Sequence, residues 1–223
     1  MNELTLIIPA KNEVESLPRV LDELKKYPFK VCVVLHESDQ KTINSIQNYN
    51  IEIIYQKNLG YGDALIEGIS KCKSKYFCIF NADGSFNPTE LEPMINKLLN
   101  ENLDFVFASR YQKNSGSEDD TIITLVGNFL FTLFGKIFFN LNISDILYTY
   151  VLGKTDYANK LELNRKDFTF CVELPIKAKR NGMKIDSIGS LERARIGGKK
   201  KVNAFKDGLL ILIYLIKIFF KKN

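Results

Sequence analysis

Over the first 110 residues, short apolar runs rich in Val, Ile and Phe alternate with longer segments of helical period. The runs at residues 4–9, 30–35, 52–55, 76–80 and 104–108 have the length and the β-branched and aromatic content of strands. Between them, Leu17, Val20, Leu21 and Leu24 fall on one helix face, as do Leu65 with Ile69, and Leu91 with Ile95 and Leu98. A strand followed by a helix returns to a parallel neighbour, so the alternation predicts an α/β fold with a mainly parallel sheet covered on both faces. Ligands of such sheets sit beyond the carboxyl ends of the strands. That rule directs attention to residues 9–13, 36–39 and 81–85.

Composition narrows the function classes. A chain of 223 residues with 45% hydrophobic content, 13 Gly and 6 Pro is an ordered domain rather than a repetitive or disordered one. A formal net charge of +5 is too small to imply nucleic-acid binding without a recognition motif, and none is present. Cys32, Cys72, Cys78 and Cys171 form no CxxC pair, so they read as core residues in a reducing cytosol rather than as zinc ligands or disulfides. His36 is the only histidine and reads as a turn residue, which leaves no Ser-His or Cys-His catalytic pair. The N-terminus lacks the basic start and long apolar stretch of a secretory signal, so a cytoplasmic location is expected.

After residue 110 the texture changes. Residues 112–120 are polar and loop-like, and residues 122–139 form an 18-residue apolar helix whose only charge is Lys136. Its length meets the lower limit for a membrane span, but Asn128, two Thr and two Gly favour a buried or interfacial helix. Residues 168–181 read as a helix and 183–188 as a strand. From Arg193 onward there are nine Lys or Arg and a single acid, Asp207, around an apolar helix at 208–220. Such a tail is suited to an anionic bilayer surface; packing between the two apolar helices, or across a homodimer, is the alternative. The expected division is a domain at 1–203 and a membrane-interfacial or packing helix at 204–223.

Three constellations have chemical potential. Asn81-Ala82-Asp83-Gly84-Ser85 follows a strand, where one carboxylate among small neighbours suits a divalent cation bridging a diphosphate. Turn and cap chemistry explains the same residues. Residues 8–13, Ile-Pro-Ala-Lys-Asn-Glu, end the first strand, with Asn12 and Glu13 also suited to a helix start. Residues 58–65 place Gly60 and Gly62 at a helix entrance, where backbone approaches a sugar or phosphate closely; Leu65 replaces the third glycine of a dinucleotide fingerprint.

In their order, IPAKNE, VCVVL with its following acids, NLGYGDALIEGI, NADGS, ASRY, FCVELPIKAKRNG and ERARIGGKKKVNAFKDG resemble the family 2 glycosyltransferases of GT-A fold, especially the dolichol- and polyprenyl-phosphate sugar transferases. The resemblance implies an inverting hexosyltransferase. It assigns nucleotide-sugar binding to Pro9, Glu13, Glu37, Asp39, Gly60, Gly62, Asn81 and Asp83, and Mg²⁺ or Mn²⁺ to Asp83 with Asn81 and Ser85. Arg110, Arg193, Arg195, Lys199, Lys200 and Lys201 correspond to residues that bind donor or acceptor phosphates. Two positions depart from the pattern. Asn81 replaces a usual acid, which lowers cation affinity, and His36-Glu37 replace paired Asp, which shifts nucleotide preference.

The implied partners are a nucleotide-sugar donor, a lipid-phosphate acceptor and a membrane surface. An anionic acceptor oxygen needs no strong base. A sugar-hydroxyl acceptor on a glycan or lipid would need one, and Glu173 is the candidate, with pairing to Lys177 as its structural alternative. Catalysis thus rests on Asp83 and Arg110, with Glu173 added for a hydroxyl acceptor. A membrane-associated GT-A module without turnover is the remaining alternative.

Overall fold

The computed structural model describes residues 3–197 and 203–221. Along the chain run β1 (Leu4–Pro9), α1 (Ser16–Leu24), β2 (Lys30–Leu35), α2 (Gln40–Ile46), β3 (Glu52–Tyr55), α3 (Tyr61–Lys71), β4 (Tyr76–Ile79), a 3₁₀ turn (Pro88–Glu90), α4 (Leu91–Asn100) and β5 (Phe105–Ser109). There follow β6 (Gly116–Ser117), α5 (Ile122–Phe139), β7 (Val151–Lys154), α6 (Thr155–Lys160), α7 (Phe170–Arg180), β8 (Ile185–Gly189), β9 (Leu191–Glu192) and α8 (Ala204–Phe220). The five expected strands and the amphipathic helices between them are present, with ends differing by a residue or so.

Seven strands form one sheet in the order β3-β2-β1-β4-β7-β5-β8. All pairs are parallel except those of β7, which runs antiparallel to both β4 and β5. Because side chains alternate across a strand, Leu6 and Ile8 enter the apolar layer beneath α1 and α4, while Ile7 enters the layer shared with α3, α7 and α8. This puts the ends of β1, β2 and β4 at one sheet edge, with Ile7 in register with both Cys32 and Ile79.

Sequence periodicity did not reveal α2, β7 or α6. Nor did it reveal β6, which interrupts the expected 112–120 loop by pairing with β9. All four cysteines are free thiols. Burial pushes Cys32 up to about 12 and Cys78 well above its usual value, so neither is an accessible thiolate at neutral pH.

The two apolar helices pack together. Phe219 of α8 meets Phe138 and Phe139 of α5 edge-on, with ring centroids 5.3 and 6.1 Å apart. Ile211, Tyr214, Leu215 and Ile218 of α8 join the same core layer as Ile7, yet each helix keeps a second apolar side open. Ile122, Phe129 and Ile137 on α5 are 83%, 63% and 65% exposed, and Phe205 and Phe220 on α8 are 79% and 77% exposed. Helix α5 is long and apolar enough to cross a membrane by length and composition.

Candidate active site

The first and second strand ends are tied together by Asp39. Its Oδ2 accepts the Asn12 amide at 2.6 Å, and its Oδ1 caps α2 through Thr42 N at 3.4 Å. The Glu13 amide donates to Thr42 Oγ1 at 3.0 Å, and the buried Glu13 carboxylate accepts from the Ser16 hydroxyl. Asp39 and Glu13 are therefore framework groups in this structure, holding the turn that Pro9 begins opposite Val34. Glu37 is exposed on the adjacent turn, and His36 Nδ1 lies 2.8 Å from Ser38 Oγ, as expected of a turn histidine.

The turn after β4 rests on an aromatic floor. Phe86 stacks on Tyr150 at 4.5 Å, Phe80 meets both rings edge-on, and the Tyr150 hydroxyl donates to the Asn87 carbonyl at 2.9 Å. Above it, Asn81 Nδ2 donates to Ser85 Oγ and Ser85 N donates to Asp83 Oδ1, each at 3.0 Å. Gly84 adopts φ 83°, and a Cβ there would overlap the Ile196 side chain. That side chain belongs to a strap, residues 193–197, laid along the turn. Arg193 N donates to Ser85 O at 2.9 Å and Ile196 N to Asp83 O at 2.8 Å.

Arg193 is consumed in fixing the strap. Its guanidinium pairs with both Glu23 oxygens at 2.8 and 3.0 Å and donates to the carbonyls of Phe86 and Gly84. Arg195 faces the acidic turn instead. Its Nη1 lies 3.7 Å from Asp83 Oδ2, and its Nη2 lies 2.9 Å from Asp119 Oδ2.

A hard cation that draws most of its oxygens from a diphosphate needs one or two carboxylates from the protein. Asp83 Oδ2 and the Asn81 carbonyl suit that donor set. Ser85 does not, because it is 1% exposed and its hydroxyl is engaged with Asn81. Among the described residues no group of three or more His, Cys, Asp or Glu gathers to hold a metal on its own.

Three expected assignments are corrected by their surroundings. Arg110 is not open to phosphate, because its guanidinium lies against Asp145 (Nε 2.8 Å, Nη2 3.1 Å), Glu192 (3.2 Å) and Asp120 (3.4 Å). Burial opposes its charge, yet Asp145 and Glu192 hold its pKa above the ordinary value. Glu173 is not an accessible base. Its carboxylate is fully buried, accepts the amides of Asn164 and Arg165 at 3.1 and 2.8 Å, and pairs with Lys177 at 2.8 Å. Gly60 and Gly62 do admit a close backbone, but it is the chain's own: a Cβ at either would overlap the carbonyl of Lys166 or Arg165. Lys199, Lys200 and Lys201 lie outside the described residues.

The glycine contact gives a direct expectation. Gly62→Ala forces the 164–167 loop off α3, and the overpacking costs about 1–3 kcal/mol. Urea unfolding should show a lower midpoint with an unchanged slope; an unchanged midpoint would mean that the loop yields freely.

Asp119, Asp145 and Glu192 complete the charge pattern; Asp119 and Asp145 lie in no sequence motif, and Glu192 opens the ERAR segment, where only its arginines drew attention. Asp145 is buried and also accepts from Asn128 of α5 at 2.6 Å. Burial raises the Glu192 pKa, with Arg110 and Ser117 opposing the rise.

The same architecture occurs in known proteins. The chain is 25% identical over 230 residues to an uncharacterized protein of Methanocaldococcus jannaschii, covering 98% of this chain and 93% of that protein. It is 23% identical over 210 residues to an uncharacterized glycosyltransferase of Mycobacterium tuberculosis, covering 94% of each. Among solved structures, glucosyl-3-phosphoglycerate synthase from Mycobacterium tuberculosis in complex with UDP superposes with a TM-score of 0.76 at 12% identity, covering 100% of this chain and 82% of that one. Mannosyl-3-phosphoglycerate synthase from Rubrobacter xylanophilus gives 0.66 at 13% identity, covering 97% and 73%. At those identities the structural likeness establishes the fold, which is GT-A. The activity class comes from the glycosyl transferase family 2 model, which matches residues 5–162, from the second residue of β1 to just past the end of α6. With six of the seven sheet strands and the acidic turn inside that span, the chain belongs to glycosyl transferase family 2.

Proposed function

We propose that this enzyme transfers a hexose from a nucleoside-diphosphate sugar to a phosphate-bearing lipid at the cytoplasmic face of a membrane. One juxtaposition carries the reading. Asp83 pairs with Arg195, Arg195 pairs with Asp119, and three residues after Asp119 the open apolar side of α5 begins at Ile122. A lipid carried along α5 therefore brings its head group toward the donor turn. Helix α8 widens the apolar surface, and Lys206, Lys217 and Lys221 outnumber its single acid, Asp207, as suits an anionic bilayer.

The chemistry follows from charge. An acceptor phosphate oxygen attacks the anomeric carbon, the bond to the donor's diphosphate oxygen breaks, and its electron pair leaves with the nucleoside diphosphate, inverting the configuration. The nucleophile is already anionic, so burial of Glu173 is no obstacle. Asp83 and Asn81 would hold Mg²⁺ or Mn²⁺, which supplies positive charge to the leaving diphosphate. Exposed Glu37 would accept from the nucleotide base, with Asp39, Glu13 and Pro9 shaping that turn. The solved synthase from Mycobacterium tuberculosis holds Mn²⁺, UDP and glucosyl-3-phosphoglycerate in one complex, which supports a nucleotide donor paired with a phosphate-bearing acceptor.

Flotation and transfer assays test the reading together. The protein should float with phosphatidylglycerol vesicles, release as salt rises, and glycosylate polyprenyl phosphate from UDP- or GDP-hexose. Protein that stays at the bottom of the gradient as a dimer, and uses 3-phosphoglycerate in place of the lipid, would assign the apolar face to a second copy and overturn the lipid acceptor.

A further inference from the structure

We infer that Arg195 is a resident cation of the donor site, binding the diphosphate directly and competing with a divalent metal for Asp83. The inference rests on the proposed nucleoside-diphosphate donor. Asp83 is the only carboxylate in the turn after β4, and Asn81 adds an oxygen without charge. The Asp83 oxygen not taken by the Ser85 amide is the one that faces Arg195, at 3.7 Å. Two cations at one carboxylate oxygen repel each other, so metal and guanidinium contend for the same position.

Arg195 is also built into place. The flanking Arg193 and Ile196 amides are bonded to Ser85 and Asp83 carbonyls, and the Ala194 amide donates to Glu118 at 2.9 Å. Asp119 holds the far side of the guanidinium, and the Asp119 amide itself donates to Ser117 Oγ at 3.1 Å beside the β6–β9 pair. With its Cα and one face of its fork fixed, the guanidinium presents its remaining N–H groups to whatever lies over Asp83. A diphosphate there gains charge-assisted hydrogen bonds without waiting for a metal.

The test is thermal unfolding of wild type, Arg195→Gln and Arg195→Lys with UDP and with GDP, in EDTA and in Mn²⁺, alongside Mn²⁺ titration read by the electron paramagnetic resonance of the free ion. Wild type should be stabilised by one nucleotide in EDTA. Arg195→Gln should need about tenfold to a hundredfold more nucleotide for the same shift in EDTA, the usual worth of a charge-assisted bond. It should also bind Mn²⁺ about tenfold more tightly, because a neighbouring positive charge has gone. Arg195→Lys keeps the charge but loses the fork, so its Mn²⁺ affinity should match wild type while its nucleotide affinity falls; it decides the matter if the Gln variant does not fold. Wild type stabilised only in Mn²⁺, or Arg195→Gln indistinguishable from it, overturns the role of Arg195 alone. Wild type unmoved by either nucleotide under both conditions overturns the donor reading and this inference with it.

Discussion

Asp83→Asn is expected to lower kcat/KM about a thousandfold, the upper range for removing one preorganised electrostatic contact, while leaving the melting temperature within a degree or two. The substitution keeps the turn, because an amide oxygen still accepts the Ser85 N–H that Asp83 Oδ1 now accepts at 3.0 Å. It removes the charge from the oxygen facing Arg195. A cation at the turn loses its single anionic ligand, and Arg195, still held by Asp119, loses its second carboxylate partner. A thousandfold change corresponds to about 4 kcal/mol of transition-state stabilisation. Initial rates from labelled nucleotide sugar, paired with thermal melts, decide the outcome. Rates within threefold of wild type would move the donor diphosphate away from the turn.

The second large effect is on stability. Asp145→Ala should destabilise the protein by about 3–5 kcal/mol, as expected when one member of a buried ion pair is removed. At about 2–4 °C per kcal/mol for a chain of this size, the melting point falls by roughly 10 °C. The Asp145 side chain is wholly buried and accepts from Arg110 Nε, Nη2 and backbone N, and from Asn128 Nδ2. Its loss leaves the Arg110 guanidinium to Glu192 and Asp120 at 3.2 and 3.4 Å and strands an amide of α5 in the core. Calorimetry of Asp120→Ala beside it gives a comparison: Asp120 meets one guanidinium nitrogen at 3.4 Å and also accepts from the Tyr111 and Thr124 hydroxyls, so a smaller loss there places most of the Arg110 stabilisation on Asp145. A loss below 1 kcal/mol for Asp145→Ala would show that Asp120 and Glu192 suffice.

Periodicity revealed most of the scaffold. The β1, β2, β3, β4 and β5 runs are legible because their apolar residues are contiguous, and in all but the edge strand β3 most of them are buried. β7 was not legible, because its four residues include Gly153 and Lys154 and leave only Val151 and Leu152 as an apolar run within the strand. In the site, residue type located the acidic turn but could not tell a ligand from a brace. Arg110 and Glu173 look catalytic by chemistry, yet their partners Asp145, Glu192 and the 164–165 amides come from segments that no local pattern links to them. The glycine spacing at 60 and 62 correctly indicated a close approach but pointed to a sugar or phosphate, whereas the carbonyls of Arg165 and Lys166 fill that space. The strap was legible only as basic charge; that Arg193 braces while Arg195 faces Asp83 depends on a register between distant segments.

The placement of β7 has a consequence for the order of assembly. Strands β1 to β4 find all but one of their neighbours among themselves, so that part of the sheet is complete in outline as soon as residue 79 is available. β5 has no such earlier neighbour. It pairs only with β7 and β8, both of which follow it in the chain, and β7 is also what joins it to β4. During synthesis the aromatic residues Phe105 and Phe107 therefore emerge long before the strand that will cover their flank. The apolar helix α5 emerges in that same interval, so the segment with most need of shelter from water is made while the sheet is still open at its centre.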